Sequence, residues 1–229
     1  MARAIVAPAR RKPLAHGGRP PRVRRFVTVS HTTDPTGAWP LADLTGAAGR
    51  VDVLCRNVQA ALCLSHHLRE DVEVYLAFVR EPARPRVVRI EGSRISRLHP
   101  DERSTAARIQ QALAADWPVP DWKEVQRGLS VAAFSLEELL RELAPLGTLV
   151  LLDPDGVPAR EAAWPEAPVF LLSDHVPFTP AEQALLAQAA TQRVSLGAPW
   201  YHGNLAIGVV HWLLDQRHPP AFRPTPAPL

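Results

Sequence analysis

The 229-residue chain is 46% apolar with a formal charge of +3, which excludes wholesale disorder and the collagen, coiled-coil and disulfide-scaffold classes. No apolar run reaches the roughly 18 residues needed to cross a bilayer. Charge is unevenly placed: residues 1–25 hold eight basic side chains and no acid, leaving 18 basic against 23 acidic groups, a net of −5, in residues 26–229.

Residues 1–22 therefore read as a disordered basic arm, residues 23–217 as one compact domain and residues 218–229 as a Pro-rich tail. Cys55 and Cys63 would lie about 12 Å apart along a helix, too far to bridge. Without a CxxC pair or zinc-spaced Cys/His cluster, a reduced cytoplasmic protein with no metal site is the expectation.

Arg24 to Ser30 (RRFVTVS) reads as the first strand, rich in β-branched residues. A long Pro/Gly-rich loop, His31 to Gly49, comes next; connections of that length are usually functional or disordered. Helical periodicity then runs from Arg50 to Arg69, with Leu54, Val58, Ala61, Leu62 and Leu68 on one face and Asp52, Arg56, Gln59 and Cys63 on another. Val72 to Val79 is an apolar second strand, and Arg86 to Leu98 reads as a hairpin turning at Glu91-Gly92-Ser93.

Pro100-Asp101-Glu102 opens a helix to about Ala115, with acids placed for the helix dipole. A Trp/Pro-rich break and a short strand, Leu129 to Ala133, lead to a capping box at Ser135 and Glu138. In the last third, strands Thr148–Leu152, Pro168–Leu172 and Arg193–Leu196 alternate with helices starting at the Thr179/Glu182 capping box and near Leu205. The first of these strands ends at the turn Asp153-Pro154-Asp155-Gly156. This alternation predicts an α/β fold with a mostly parallel sheet, its ligand site beyond the strand C-termini.

Neither a G-x-G-x-x-G fingerprint, a Walker A loop, a G-x-S-x-G elbow nor an H-E-x-x-H helix is found. His66-His67, late in the predicted helix, fits a dipole partner better than a metal ligand. Three loops meet at strand ends: Leu152–Gly156, Leu172–Phe178 and Leu196–Leu205. With Trp200 and Tyr201 they suit a flat heteroaromatic ligand held by main-chain bonds, or are ordinary β/α connections. Asp52 and Arg56 form an i,i+4 pair, ordinarily a surface contact of about 0.3–0.5 kcal/mol. Their position after the long loop also permits a substrate role.

RRFVTVSHTT (24–33), LADLTGAAGRVDVLCRNVQAALCLSHHLREDVEVYL (41–76), RIEGSRISRLHPDERSTAARIQQAL (89–113), LLSDHVPFT (171–179) and VSLG (194–197), in this order, resemble the archaeal tRNA (pseudouridine-54 N1)-methyltransferase family TrmY of the SPOUT superfamily. The resemblance implies a SPOUT-type mostly parallel sheet with helices on both faces and a C-terminal trefoil knot. It implies S-adenosylmethionine as cofactor, a pseudouridine-containing tRNA as substrate, and a homodimer. By position, Leu152, Ser173, Asp174, Leu196, Gly197, Trp200, Tyr201, Leu205 and Ala206 would bind the cofactor. Asp52, Arg56 and Arg50 would face the target base, Asp52 orienting N1–H or accepting its proton.

The family carries glycine where Ser173 stands, and an acid and a cysteine near Asn204 and Ala206. An RNA-binding relative without chemistry, and a methyltransferase acting on rRNA pseudouridine, therefore stay open as alternatives. The basic arm adds a salt-dependent attraction to RNA. Removing residues 1–22 is expected to weaken RNA binding and lower the slope of log affinity against log salt; an unchanged slope would make the arm irrelevant.

Overall fold

The structure is a computed structural model describing residues 22–96, 98–115, 117–220 and 222–224. The expected basic arm up to residue 21, and residues 225–229 of the tail, lie outside the described residues. In chain order the elements are β1 (Arg24–Ser30), α1 (Val51–Leu62), β2 (Cys63–Leu64), β3 (His67–Arg69), β4 (Val72–Phe78), β5 (Arg86–Glu91), α2 (Glu102–Leu113), β6 (Lys123–Gln126), β7 (Leu129–Ala132), α3 (Leu136–Leu143), β8 (Thr148–Pro158), β9 (Pro168–Ser173), α4 (Pro180–Ala189), β10 (Gln192–Ser195), α5 (Gly203–Asp215) and β11 (Phe222–Pro224).

An eight-stranded sheet has the order β10-β8-β9-β1-β4-β5-β7-β6. The five strands from β10 to β4 run parallel, whereas β5, β7 and β6 continue the sheet antiparallel. The mostly parallel α/β architecture expected from the sequence is therefore present, with an antiparallel flank. Alternate strand residues divide two cores: Phe26, Val74, Leu76 and Phe170 pack under α1, α2 and α5, while Val27, Val29, Tyr75 and Leu171 pack under α3 and α4. Both faces are covered by helices, and every residue of β1 is buried.

The capping boxes at Ser135/Glu138 and Thr179/Glu182 form as the sequence predicts, and Asp101 caps α2 through Ser104 N at 2.7 Å. Four local readings are corrected. Helix α1 stops at Leu62 rather than Arg69: the chain turns extended at Cys63, and His66 takes a left-handed conformation (φ 62°) between β2 and β3. Apolar spacing alone could not see that Leu68 is buried as a strand residue. His66-His67 therefore sits in a hairpin, where the His67 ring packs edge-on against Phe222.

The expected second hairpin arm, after Glu91, is not a strand. Both edges of β5 are already taken by β4 and β7, so Arg94 and Ile95 instead donate backbone N–H groups to the Glu91 carbonyl. Asp153–Gly156 does not end a strand; it is an excursion within β8. Leu151 pairs with Arg193 and Val157 with Val194, leaving residues 152–156 outside the ladder with β10. Lys123–Gln126 and Phe222–Pro224 are strands where the sequence reading has a break and a tail.

A buried ion cluster holds α5 to the rest of the molecule. Asp215 receives Arg69 at 2.6 Å and 3.1 Å and Arg24 at 2.5 Å. Arg24 Nη1 lies 3.0 Å from His211 Nδ1, and His211 Nε2 lies 3.1 Å from the Ala61 carbonyl. Burial, then Arg69 and Arg24, push the His211 pKa down to about 3, so the ring is neutral: Nδ1 accepts and Nε2 donates. Replacing Asp215 by Ala leaves two buried guanidiniums with only Asp71 among the described residues, 3.5 Å from Arg24 Nε, to offset them, and is expected to cost about 3 kcal/mol in urea unfolding. A change below about 0.5 kcal/mol would show that the cluster does not hold α5.

Candidate active site at the C-terminal edge of the parallel strands

Because β10, β8, β9, β1 and β4 are parallel, their C-termini share one edge, and the site is built from the segments that leave it. Strand β1 delivers His31, Thr32 and Thr33. The Thr32 and Thr33 hydroxyls donate to the Gly49 carbonyl at 2.7 Å and 2.9 Å, fastening the end of the long loop to the end of β1. Gly49 has φ +63°, and a Cβ there would lie 2.3 Å from the Thr32 carbonyl oxygen, so only glycine fits. Arg50 sits next in the same left-handed region (φ 62°, ψ 34°), uncommon for a side-chain-bearing residue.

That turn aims Arg50 back at Asp52 in the first turn of α1. Arg50 Nε reaches Asp52 Oδ1 at 3.0 Å and its Nη2 reaches Oδ2 at 3.2 Å; Arg56 Nη2 reaches Oδ2 at 2.6 Å. Asp52 is 1% exposed, whereas the two arginine side chains are 40% and 38% exposed. Burial pushes the Asp52 pKa up, but the two guanidiniums outweigh it and hold the carboxyl below its ordinary value. The result is a fixed carboxylate under two half-open cations. Arg56 also meets Glu102 at 3.1 Å, bringing the first turn of α2 to the site.

Asp174 closes the next side. Its backbone N–H continues from β9 to the Val29 carbonyl, and its carboxylate accepts from His31 N and Val176 N, both at 2.8 Å. Asp174 also acts through space on Arg50, so Arg50 links the residues expected at the base to the turn expected at the cofactor. The Ser173 hydroxyl donates to the Val176 carbonyl and closes the turn on itself.

The remaining expected residues divide. Leu152 and Leu196 are half-buried against the main core, Leu152 at the start of the β8 excursion. Gly197 has φ +111°. Trp200 is 87% exposed, and Tyr201 and Leu205 line a shallow cavity of about 390 Å³ along α5 with Trp212. Ala206 is turned the other way, into the core with Ile207 and Val210. One helical step separates Leu205 from Ala206, so the two side chains face different surroundings.

Sequence reading missed three participants. His31 bridges Asp174 and Glu182. Glu102 pairs with Arg56. Asn57 donates to Thr28 Oγ1 at 3.2 Å and packs so close to Gly203 that a Cβ there would lie 2.9 Å from its amide, seating the start of α5 beside α1. Asn57 is one residue beyond Arg56, a position the i,i+4 count passes over.

A family model described as "Putative SAM-dependent RNA methyltransferase" matches residues 23–219, essentially the whole body of the chain. The chain belongs to this RNA methyltransferase family. Among its relatives is the tRNA (pseudouridine(54)-N(1))-methyltransferase of Haloarcula marismortui, 45% identical over 84% of this chain and 96% of that one. The Haloferax volcanii enzyme of the same name is 44% identical over the same shares, and that of Methanocella arvoryzae 38% over 85% and 100%. The fold is similar to the crystal structure of Archaeoglobus fulgidus Nep1 bound to S-adenosylhomocysteine. There the TM-score is 0.55 at 12% identity, over 85% of this chain and 98% of that one. In this structure Arg50, Asp52 and Arg56 form one charged cluster, and Asp174 acts on its Arg50.

Proposed function

We propose that this protein transfers a methyl group from S-adenosylmethionine to N1 of a pseudouridine in tRNA, at position 54. The observation that carries the reading is the buried Asp52 carboxylate held under two half-exposed arginines beside the Asp174 turn. The relatives' substrate supports the choice of base and RNA.

The residues fit the cofactor in kind. The β8 excursion, the Ser173–Phe178 turn and the Leu196–His202 connection offer main-chain groups at one sheet edge, with an exposed tryptophan on the last. Ser30 Oγ and Asn57 Oδ1 are buried and unpaired behind that edge. Bound there, S-adenosylmethionine supplies a methyl group on a sulfonium, a good leaving-group system.

The chain's own residues do the rest. Pseudouridine is C-linked, so its N1 bears a proton that must pass to solvent water as the N–C bond forms and the methyl–sulfur bond breaks. Arg50 and Arg56 present donors to carbonyl or phosphate oxygens of the nucleotide. Asp52 fixes both guanidiniums, and its lowered pKa makes it a poor proton store but a permanent acceptor, suited to orienting N1–H. Positioning then supplies most of the acceleration.

We further infer the trefoil knot and the homodimer. After the edge strand β10, only residues 196–202 return the chain across β8, β9 and β1 to seat α5 on α1, the crossing that threading requires. Helix α5 presents Leu205 and Trp212 outward, with Trp200 and Tyr201 just ahead of it, an apolar row a second copy would cover.

Asp52→Ala is expected to lower methyl transfer to pseudouridine-containing tRNA at least about a hundredfold, with cofactor affinity within about threefold of wild type. Wild-type turnover in that variant would refute the assignment. Trp212→Arg is expected to turn a dimer into a monomer by light scattering; a wild-type chain that is already monomeric would contradict the dimer.

A further inference from the structure

His31 leaves the end of β1 between two carboxylates. Its Nδ1 lies 3.1 Å from Asp174 Oδ1 and its Nε2 3.1 Å from Glu182 Oε2. Both acids are otherwise engaged as ionised groups. Asp174 accepts the His31 and Val176 backbone N–H groups, and Glu182 accepts the N–H and hydroxyl of Thr179 in the cap of α4. An ionised carboxylate only accepts, and a neutral imidazole has one N–H; two such bonds at once require both ring nitrogens to be protonated.

We propose that His31, as an imidazolium bridging Asp174 and Glu182, is a positioning residue that holds the β9–α4 turn in its cofactor-binding shape. The proposal rests on the methyltransferase reading of that turn. The Asp174 side supports Ser173, and the Glu182 side supports the start of α4. With the proton removed, one of the two bridges must break, and one end of the turn is released from β1.

The two bonded carboxylates favour the proton, against the cations that line the same groove. Asp174 faces the ring from the turn and Glu182 from α4; His175 Nδ1 lies 3.9 Å from the Asp174 carboxylate, and Arg80, Glu81 and Arg84 line the adjoining groove of about 920 Å³ from the β4–β5 connection. Arg50 acts on Asp174 from the start of α1. The Asp174 hydrogen bond raises the His31 pKa above the usual 6.5; burial opposes it and Glu182 adds to the rise. Burial pushes the Asp174 and Glu182 carboxyls up, but His31 and backbone donors outweigh it and keep both below their ordinary values. A raised histidine pKa gives a bridge fully present below about pH 6.5 and lost as pH climbs through the higher, folded-state value.

The test is calorimetric titration of the full chain with S-adenosylmethionine, without RNA, at about pH 6 and about pH 9. Comparing variants cancels the titration of the cofactor's own amine. Wild type is expected to lose about tenfold more affinity between the two pH values than His31→Gln, which should bind weakly at both. His31→Lys, which keeps a cation throughout, should restore affinity at the higher pH. The same pH ratio in wild type and His31→Gln would overturn the proposal.

Should His31→Gln fail to fold, NMR of the wild-type ring decides. Its midpoint is expected above about 6.5 and higher still with cofactor, and a midpoint unmoved by cofactor would overturn the role. A wild-type chain that never binds S-adenosylmethionine overturns the methyltransferase reading itself, and this role with it.

Discussion

Strand β1 is buried from end to end, between two parallel neighbours and under helices on both faces, so the polar groups at its C-terminal end cannot turn to water. Apart from the unpaired Ser30 hydroxyl, those from Val29 to Thr33 bond to protein instead, and those bonds assemble the site. The Val29 carbonyl takes Asp174 N, His31 N goes to the Asp174 carboxylate, Thr32 and Thr33 clamp Gly49, and the Thr32 carbonyl takes Arg80. Each contact brings in a segment distant in sequence. The left-handed turn at Gly49-Arg50, the Asp174 turn and the β4–β5 connection are all registered on the end of one strand.

The charges divide by depth in a way that separates holding from acting. Arg24 and Arg69 are buried and locked on Asp215, and Arg25 is locked on Glu73; these arginines fasten β1, β3, β4 and α5. Arg50 and Arg56 instead keep about two-fifths of their surface open while a buried acid fixes one side of each. That is the arrangement a polyanionic substrate can use: guanidiniums already ordered by Asp52 and Glu102, with donors still open to an anion.

Much of this was legible in the chain. The β-branched runs at Arg24–Ser30 and Val72–Phe78 and both capping boxes fall where period and cap chemistry place them, because each is decided by residues within a few positions of one another. The i,i+4 pair Asp52/Arg56 was readable for the same reason. What was hidden depends on contacts made at long range. The helical period continued past Leu62, but pairing with β3 overrides it there; the hairpin expected after Glu91 lost its place to β7, which arrives about 40 residues later. The His31–Asp174–Glu182 bridge joins residues 143 and 151 positions apart, and no local pattern announces it. Arg50 took its role from a backbone conformation rather than from spacing.

We propose that this edge transfers a methyl group to a nitrogen that pseudouridine has free and uridine does not. This is tested most directly by incubating the full chain and S-adenosylmethionine with two tRNAs that differ only in having pseudouridine or uridine at position 54, then locating the added mass by nuclease digestion and mass spectrometry. One methyl group is expected on N1 of the pseudouridine and none on the uridine RNA. No transfer to either RNA, or equal transfer to both, would contradict it.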